Sequence, residues 1–518
     1  MLNKKDIKEI LSKRFENDLH TKLSLIPKPD IFKDMQKAAL RIKEAMEKKQ
    51  KVAIVGDYDV DGIISSVILS EFFDDIGLEH QVRIPNRFRD GYGLNESIVK
   101  ELIGVDLIVT VDNGISAYDA ADACKKEGID LIITDHHCPS QTLPDAYAIV
   151  NPKQSDCAFP ADICGAQVAW YLCGAIKGVC GYNDYSLMKF MDILCIAIMS
   201  DMMELVDLNR LLVKEGLKHL NLSKRPCFIA IKDFFNKEVF DASSISFLLS
   251  PLLNSSGRMD DASVSFDFIK SKTIDEAKIY LDTIAELNNA RKDEEKRVFE
   301  EALKQVDSED KAVVVADSGW HKGVLGIVAS RLSRHFDKPS FVFCIEDELL
   351  QGSARSVGGI DLLNLLGGID ICDIGGHSAA AGISLQHKHI QELKNILNDR
   401  LDCITYQEFC DNDKVLGEID VSEIDFELGK ILDYFEPYGQ KNPRPYFLIK
   451  NAKIVNITVI KDKNLRIGFL KDDLFFNAMY FNYSVLPEEN TYVNLCVNIA
   501  LNTYRGVART QIYIDDIY

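Results

Sequence analysis

The 518-residue sequence lacks any run of about eighteen uninterrupted apolar residues, the length a membrane-crossing helix needs. Its closest approach, Leu187 to Met203, is broken by Lys189, Asp192 and Asp201, so no membrane association is expected. The first fifteen residues have neither an apolar core nor a cleavage site, which argues against secretion. None of the thirteen cysteines forms a Cys-x-x-Cys pair, so zinc ribbons and thioredoxin-type redox motifs are disfavoured. A cytoplasmic chain with reduced thiols is the expectation. Internal repeats and low-complexity tracts are also lacking. With 47% hydrophobic and 27% charged residues, the composition is that of a globular protein of several domains. Basic residues are in deficit: 60 Lys and Arg stand against 80 Asp and Glu, a net charge of −20. Taken alone, this argues against non-specific nucleic-acid binding. The deficit is uneven, because residues 440–518 carry ten Lys and Arg against seven Asp and Glu.

Short apolar runs at Val52–Val55, Val82–Pro85, Leu107–Val111 and Leu131–Thr134 read as buried parallel strands. Helical patterns at Ile63–Phe73, Asn95–Leu102 and Ala117–Glu127 alternate with them, which predicts a doubly wound α/β domain. From Thr273 to Val306 the sequence is helical and highly charged, opening on a Thr273–Glu276 capping-box spacing. A helix of that length is too long for one small core and reads as a connector between two lobes. A second α/β pattern follows. About five strand-like segments close the chain, the count of a small OB-fold barrel. The expected division is a helical segment at 1–50, a first α/β domain at 51–272, a connector at 273–307, a second α/β domain at 308–400, a linker at 401–443 and a barrel at 444–518.

Three Asp-rich motifs follow strands. Gly56-Asp57-Tyr58-Asp59-Val60-Asp61-Gly62 sets three carboxylates within five residues, which repel one another unless a cation lies between them. A solvated turn with a helix-capping Asp is the simpler alternative, but one Asp would suffice for it. Asp112-Asn113-Gly114 is good turn chemistry by itself. Thr134-Asp135-His136-His137 ends a third strand, and Asp201 sits in an otherwise apolar stretch. Carboxylates with an imidazole and no thiolate suit Mn2+ or Mg2+. Two such ions bridged by an Asp would form a phosphoryl-transfer site.

This ordered series resembles the DHH phosphoesterase superfamily. Gly375-Gly376-His377 resembles the signature of the DHH-associated domain. Asn254 to Met259, Gly319 to Gly326 and Phe435 to Pro443 resemble its RecJ branch. The resemblance covers roughly Val52 to Tyr518. It implies a two-metal exonuclease specific for single-stranded DNA, working 5′ to 3′, releasing mononucleotides and acting in DNA repair and recombination. It assigns 51–272 as the catalytic domain, 308–400 as the substrate-binding domain and 444–518 as the nucleic-acid-binding barrel. Asp59, Asp61, Asp112, His136 and Asp201 match the metal ligands, with Asp112 bridging. Asp57 and His137 match adjoining catalytic or phosphate-contacting positions. Many members carry a His at the position of Val55, so one metal is expected to have fewer protein ligands here. Met and Glu also replace the small residue and Pro that usually follow the last Asp.

On the substrate side, Gly375, Gly376 and His377, Ser353 and Arg355, Arg87 and Arg258 are candidates to grip phosphate. For each Arg, a surface ion pair is the alternative. His377 is also a catalytic candidate, whereas His321 reads as structural. In the barrel, Lys450, Lys453, Lys463, Arg466, Arg505 and Arg509 are candidates for backbone contact. Of the barrel aromatics Tyr446, Phe469, Phe476, Tyr480, Tyr492 and Tyr504, a minority are expected to touch DNA. Single-stranded DNA is the expected partner of a monomer, with a single-strand-binding protein and a helicase as further candidates. Two other readings stay open: a phosphoesterase of the same superfamily for short oligonucleotides or other small phosphates, and a weakly active DNA-binding scaffold.

Overall fold

The computed structural model describes residues 1–402, 415–461, 464–481, 483, 486–504 and 507–518. Lys463 and Arg505, and the side chain of Tyr504, lie outside the described residues.

The chain opens with helices α1 (Lys4–Lys13) and α2 (Met35–Glu47). It then builds β1 (Val52–Val55), α3 (Val60–Ile76), β2 (His80–Arg83), α4 (Glu96–Glu101), β3 (Leu107–Val111), α5 (Tyr118–Glu127), β4 (Asp130–Thr134) and β5 (Ala148–Val150). The five strands pair in parallel in the order β2-β1-β3-β4-β5. Residues of alternate register feed two apolar layers. Val52, Ile54, Val109 and Ile132 meet α2, α3 and α6 (Gly165–Cys180), while Ala53, Val55, Ile108 and Ile133 meet α4 and α5. Burial on both faces explains why β1, β3 and β4 read as unbroken apolar runs. Strand β2 starts two residues before the expected one, because this edge strand opens on the polar pair of half-buried His80 and exposed Gln81. In this strand order the topological switch lies between β1 and β3, and a ligand crevice is expected at their carboxyl ends.

Helices α7 (Met191–Ser200), α8 (Asp207–Leu222) and α9 (Ser250–Met259) complete the first lobe. Helix α10 (Ile274–Leu303) runs for 30 residues and is shared between two cores. Its Ala277, Leu281 and Ile284 belong to the first, and its Val298 and Ala302 to the second. Thr273 caps its start, as the spacing predicts. The second lobe contains β6 (Val313–Asp317), α11 (Lys322–Phe336), β7 (Ser340–Glu346), β8 (Leu349–Arg355), α12 (Leu362–Leu366), β9 (Cys372–Gly376), β10 (Ala380–Gln386) and α13 (Ile390–Asp402), with strand order β6-β7-β8-β10-β9. His321 accepts from the Gly323 amide and so caps α11, the structural part expected of it.

The barrel is larger than the 444–518 segment expected. Strand β11 (Val415–Glu418) joins its sheet and α14 (Phe426–Tyr434) packs on it, so the part of the expected linker from Val415 onward belongs to this unit. Strands β12 (Tyr446–Lys461), β13 (Asn464–Lys471), β14 (Leu474–Phe481), β15 (Tyr492–Tyr504) and β16 (Val507–Ile517) close through the β12–β15 pairing. The first fifty residues also divide. Helix α2 serves the first sheet, but Ile7 and Leu11 of α1 lie in the barrel core and Leu2 bridges Ile419. Phe469 and Tyr480 are core residues, whereas Tyr492 is exposed. Arg466 and Arg509 are exposed, and Lys450 pairs with Glu418.

Candidate metal centre and phosphate cleft

Three parallel strands deliver the acidic motifs to one place. Asp59 caps α3 through the Gly62 amide, which aims Asp57 and Asp61 to either side of that turn. Asp112 follows β3 in a left-handed conformation (φ 63°), uncommon outside glycine and typical of functional sites. Asn113 fixes the turn by donating to the carbonyls of Val55, Gly56 and Val111. Helix α6 begins beside them, and the amides of Gly165 and Ala166 donate to the two oxygens of Asp61 at 2.6 and 2.9 Å. Asp135 accepts from the amides of Ile115, His136 and His137 and holds His137 Nδ1 at 2.7 Å. The sequence reading gave Asp135 no task. The structure makes it the organiser of both histidines.

The result is a compact donor cluster. His136 Nε2 lies 3.2 Å from Asp112 Oδ1, 3.6 Å from Asp201 Oδ2 and 3.8 Å from Asp61 Oδ2. Three triads each bring their donor atoms within 4.8 Å of one another: Asp57-Asp59-Asp112, Asp61-His136-Asp201 and Asp112-His136-His137. Asp57, expected beside the ligands, therefore stands among the potential donors. Val55 belongs to the apolar layer under α4 and α5, and Asp57, Asp59 and Asp112 group without it.

Electrostatics show what the cluster requires. Burial pushes the Asp61 carboxyl up to about 6 and that of Asp201 up to about 9, with neighbouring carboxylates adding to both. Asp57 and Asp112 are pushed well above the usual carboxylate range, first by burial and then by the other aspartates. Burial, then His137, lowers His136 to about 3, so it is a neutral donor near pH 7. Burial opposes the charge on His137, but Asp135 overcomes it and raises that imidazole to about 9. Buried oxygens of Asp57, Asp112 and Asp201 accept no hydrogen bond. Unpaired buried carboxylates are costly, and hard cations remove that cost, so the donor set fits Mn2+ or Mg2+.

This predicts a pH-dependent stabilisation. A carboxyl whose folded pKa is raised favours folding below its unfolded pKa and loses that contribution as pH rises through the folded value. Metal-free protein should thus lose stability from about pH 4 to about pH 9, the window set by Asp61 and Asp201. The rise in thermal midpoint on adding Mn2+ should be larger at pH 8 than at pH 5.5. An equal rise at both would sink the assignment.

Facing the carboxylates is a group of arginines. Arg87 stacks on Tyr58 with its guanidinium 4.2 Å from the ring centre. Arg258 on α9 donates to the Gly323 carbonyl of the second lobe. Burial lowers Arg258 to about 10, with Arg87, Arg291 and Arg355 adding to the fall. Arg355 donates to Ser353 Oγ at 2.8 Å. None of Arg87, Arg258 and Arg355 forms an ion pair among the described residues, so the surface ion-pair alternative is not what is seen. Arg291, from the middle of α10, was missed; among that helix's many charges only its burial distinguishes it. Ser353 is opposite Gly382, which is opposite Gly375, so one row of the sheet carries a hydroxyl and two bare glycines. Gly375, Gly376 and His377 are exposed at the β9–β10 turn. The His377 side chain makes no hydrogen bond or ion pair among the described residues and is not part of the donor cluster.

Comparison with known proteins agrees with this architecture. Residues 51–198 match the DHH family N-terminal domain, 309–402 the DHHA1 domain and 417–516 the RecJ OB domain. The single-stranded-DNA-specific exonuclease RecJ of Bacillus subtilis (strain 168) is 32% identical over 96% of this chain, which spans 65% of that protein. The same-named protein of Dickeya dadantii (strain 3937) is 30% identical, with 92% of this chain and 89% of that protein covered. The crystal structure of RecJ in complex with Mn2+ from Thermus thermophilus superposes with a TM-score of 0.85 at 24% identity, covering 98% of this chain and 74% of that one. Three domain matches in the right order, and relatives similar over nearly the whole length, show that the chain belongs to the RecJ family of DHH phosphoesterases.

Proposed function

We propose that the protein is a metal-dependent exonuclease that removes mononucleotides from the 5′ end of single-stranded DNA. The observation that carries this reading is a buried carboxylate cluster with unpaired oxygens lying close to arginines that form no ion pair among the described residues. Asp57, Asp59 and Asp112 on one side, and Asp61, His136 and Asp201 on the other, are the residues that would hold two cations, with Asp112 between them. Such ions neutralise a phosphodiester and acidify a water at neutral pH. The chain's own part is to orient the strand. Arg258, Arg355 and Ser353 grip a phosphate, and the glycines of β9 and β10 let the sugar–phosphate backbone lie close to the sheet. His377 at the exposed turn meets the strand at the edge of that trough. The barrel, with Tyr492, Arg466 and Arg509 exposed, holds the strand further along.

In the cell this activity serves DNA repair and recombination in the cytoplasm, on strands supplied by a helicase and covered by a single-strand-binding protein. No helix among the described residues is long and apolar enough to cross a membrane. The direct test is a length series of single-stranded DNA labelled at either end, digested with Mn2+, Mg2+ or EDTA. Mononucleotides should appear from the 5′ end, only with metal, and a blunt duplex should resist. Loss of the 3′ label first, or digestion in EDTA, would refute the reading.

The phosphate grip has its own consequence. Arg355→Ala should lower kcat/KM on single-stranded DNA by roughly 10- to 100-fold, the worth of one hydrogen bond to a charged group at about 1.5–3 kcal/mol. Mn2+ binding should be unchanged. A loss smaller than about twofold would take Arg355 out of the site.

A further inference from the structure

Most candidate cation donors follow strand ends, but Asp201 does not. It terminates α7 and opens the loop that leads to α8. The loop and the first residue of α8 hold two left-handed residues that are not glycine, Met202 (φ 55°) and Asp207 (φ 45°). Met202 takes the place where a helix end prefers glycine, and its side chain is 66% exposed, so packing does not hold it there. Its backbone closes α7 locally, the Met202 amide donating to the Met199 carbonyl at 3.4 Å and the Met203 amide to the Ile198 carbonyl at 3.2 Å, and the far end of the loop is held separately.

That end is clamped by a distant strap. Asp207 Oδ1 accepts from the Leu19 amide at 2.8 Å and the His20 amide at 2.6 Å, and Oδ2 lies 2.7 Å from His20 Nδ1. In return the Asp207 amide donates to Asp18 Oδ1 at 3.0 Å. His20 is 8% exposed, while Asp18 and Asp207 are half-buried and Leu19 is exposed, so the imidazole is the shielded part of the clamp. A carboxylate at a helix start normally answers the helix amides, yet here both oxygens are committed to the strap. The barrel adds a hold on the loop, with the Leu205 amide donating to the Gln440 carbonyl at 2.8 Å. The strap follows α1, which is seated in the barrel core.

We propose that Asp207, gripped by Asp18, Leu19 and His20, is a positioning residue for Asp201, and that cation affinity at the Asp61-His136-Asp201 triad depends on this strap. The proposal rests on the reading of Asp201 as a cation donor. Removing the clamp frees the loop, and Asp201 must then be ordered at the expense of metal binding. Groups that orient a metal ligand without touching the metal change affinity by about 10- to 100-fold when removed.

The test is calorimetric titration of the full-length, metal-free protein with Mn2+, with the thermal midpoint measured alongside. Asp207→Ala should weaken one of the two Mn2+ sites by roughly tenfold or more and leave the other within about twofold. His20→Ala keeps both backbone donors and should shift the same site in the same direction by less, which preserves the test should Asp207→Ala fail to fold. Asp201→Asn should weaken that same site. If Asp201→Asn leaves Mn2+ binding at the parent level, the donor reading itself fails. If Asp201→Asn weakens binding while Asp207→Ala and His20→Ala do not, the positioning role is overturned. A fall in thermal midpoint with both sites weakened equally would also overturn it, because the strap would then only support the fold.

Discussion

Asp112→Ala should lower the rate of DNA hydrolysis by roughly three orders of magnitude, taking the contribution of a metal clamp as several kcal/mol and each ~1.36 kcal/mol as tenfold. Asp112 belongs to two of the three donor triads, stands 3.2 Å from His136 and has an oxygen that accepts no hydrogen bond. No other carboxylate can take its place between the two sets. The same residue is a liability without metal, because burial and four neighbouring aspartates oppose its charge. The isosteric Asp112→Asn should therefore raise the thermal midpoint of metal-free protein near pH 8 while hydrolysis with metal collapses. Activity and stability moving in opposite directions is the signature to look for. Residual hydrolysis above a few per cent of the parent rate, measured by release of 5′ label, would show that Asp112 does not bridge.

The second large effect is expected from a residue that donates nothing to a cation. Gly165 opens α6 against the donor cluster, and a Cβ placed on it would lie 2.4 Å from Asp112 Oδ1 and 2.5 Å from Asp112 Cβ. Real Cβ atoms do not approach so closely, so Gly165→Ala must displace either Asp112 or the helix. Displacing the helix moves Asp61, whose Oδ2 is held by the Gly165 amide. Either shift should reduce turnover by about a hundredfold, the scale of a ~1 Å misplacement at a reacting centre. Helix α6 itself should survive, since alanine is the better helix former. Gly178→Ala on the same helix meets nothing within 4 Å and should behave as the parent in the same assay. Similar losses at both positions would mean that α6 is simply intolerant of change and that Gly165 has no special tie to the cluster.

The sequence revealed what is local or repeated at strand ends. Strands β1, β3 and β4 were legible because burial on both faces writes an apolar run, and the Asp motifs were legible because each directly follows one. The long helix was legible from its cap and its length. What escaped detection depends on residues far apart in sequence. Asp57 stands beside Asp112 only because β1 and β3 are neighbours, so its motif suggests a cation nearby without saying that Asp112 would complete the group. Gly165 looks like any small residue at a helix start until Asp112 is placed against it. Helix α1 has an ordinary amphipathic pattern that does not say which core it will join. His377 shows the reverse. Its motif singled it out, but it stands on an exposed turn where its side chain makes no hydrogen bond or ion pair among the described residues.

The seating of α1 in the barrel has a consequence for how the molecule is made. Lys4 pairs with Asp425, 421 residues later. At ~5–20 residues per second, a ribosome needs roughly 20 to 80 s to cover that distance. For that interval the opening helix has left the ribosome but has no partner, and Ile7 and Leu11 remain in water or in the keeping of a chaperone. The strap at Asp18 to His20 can find Asp207 much sooner. The first lobe can therefore complete its sheet early in synthesis, while the barrel, which needs both α1 and the strands from Val415 onward, closes later.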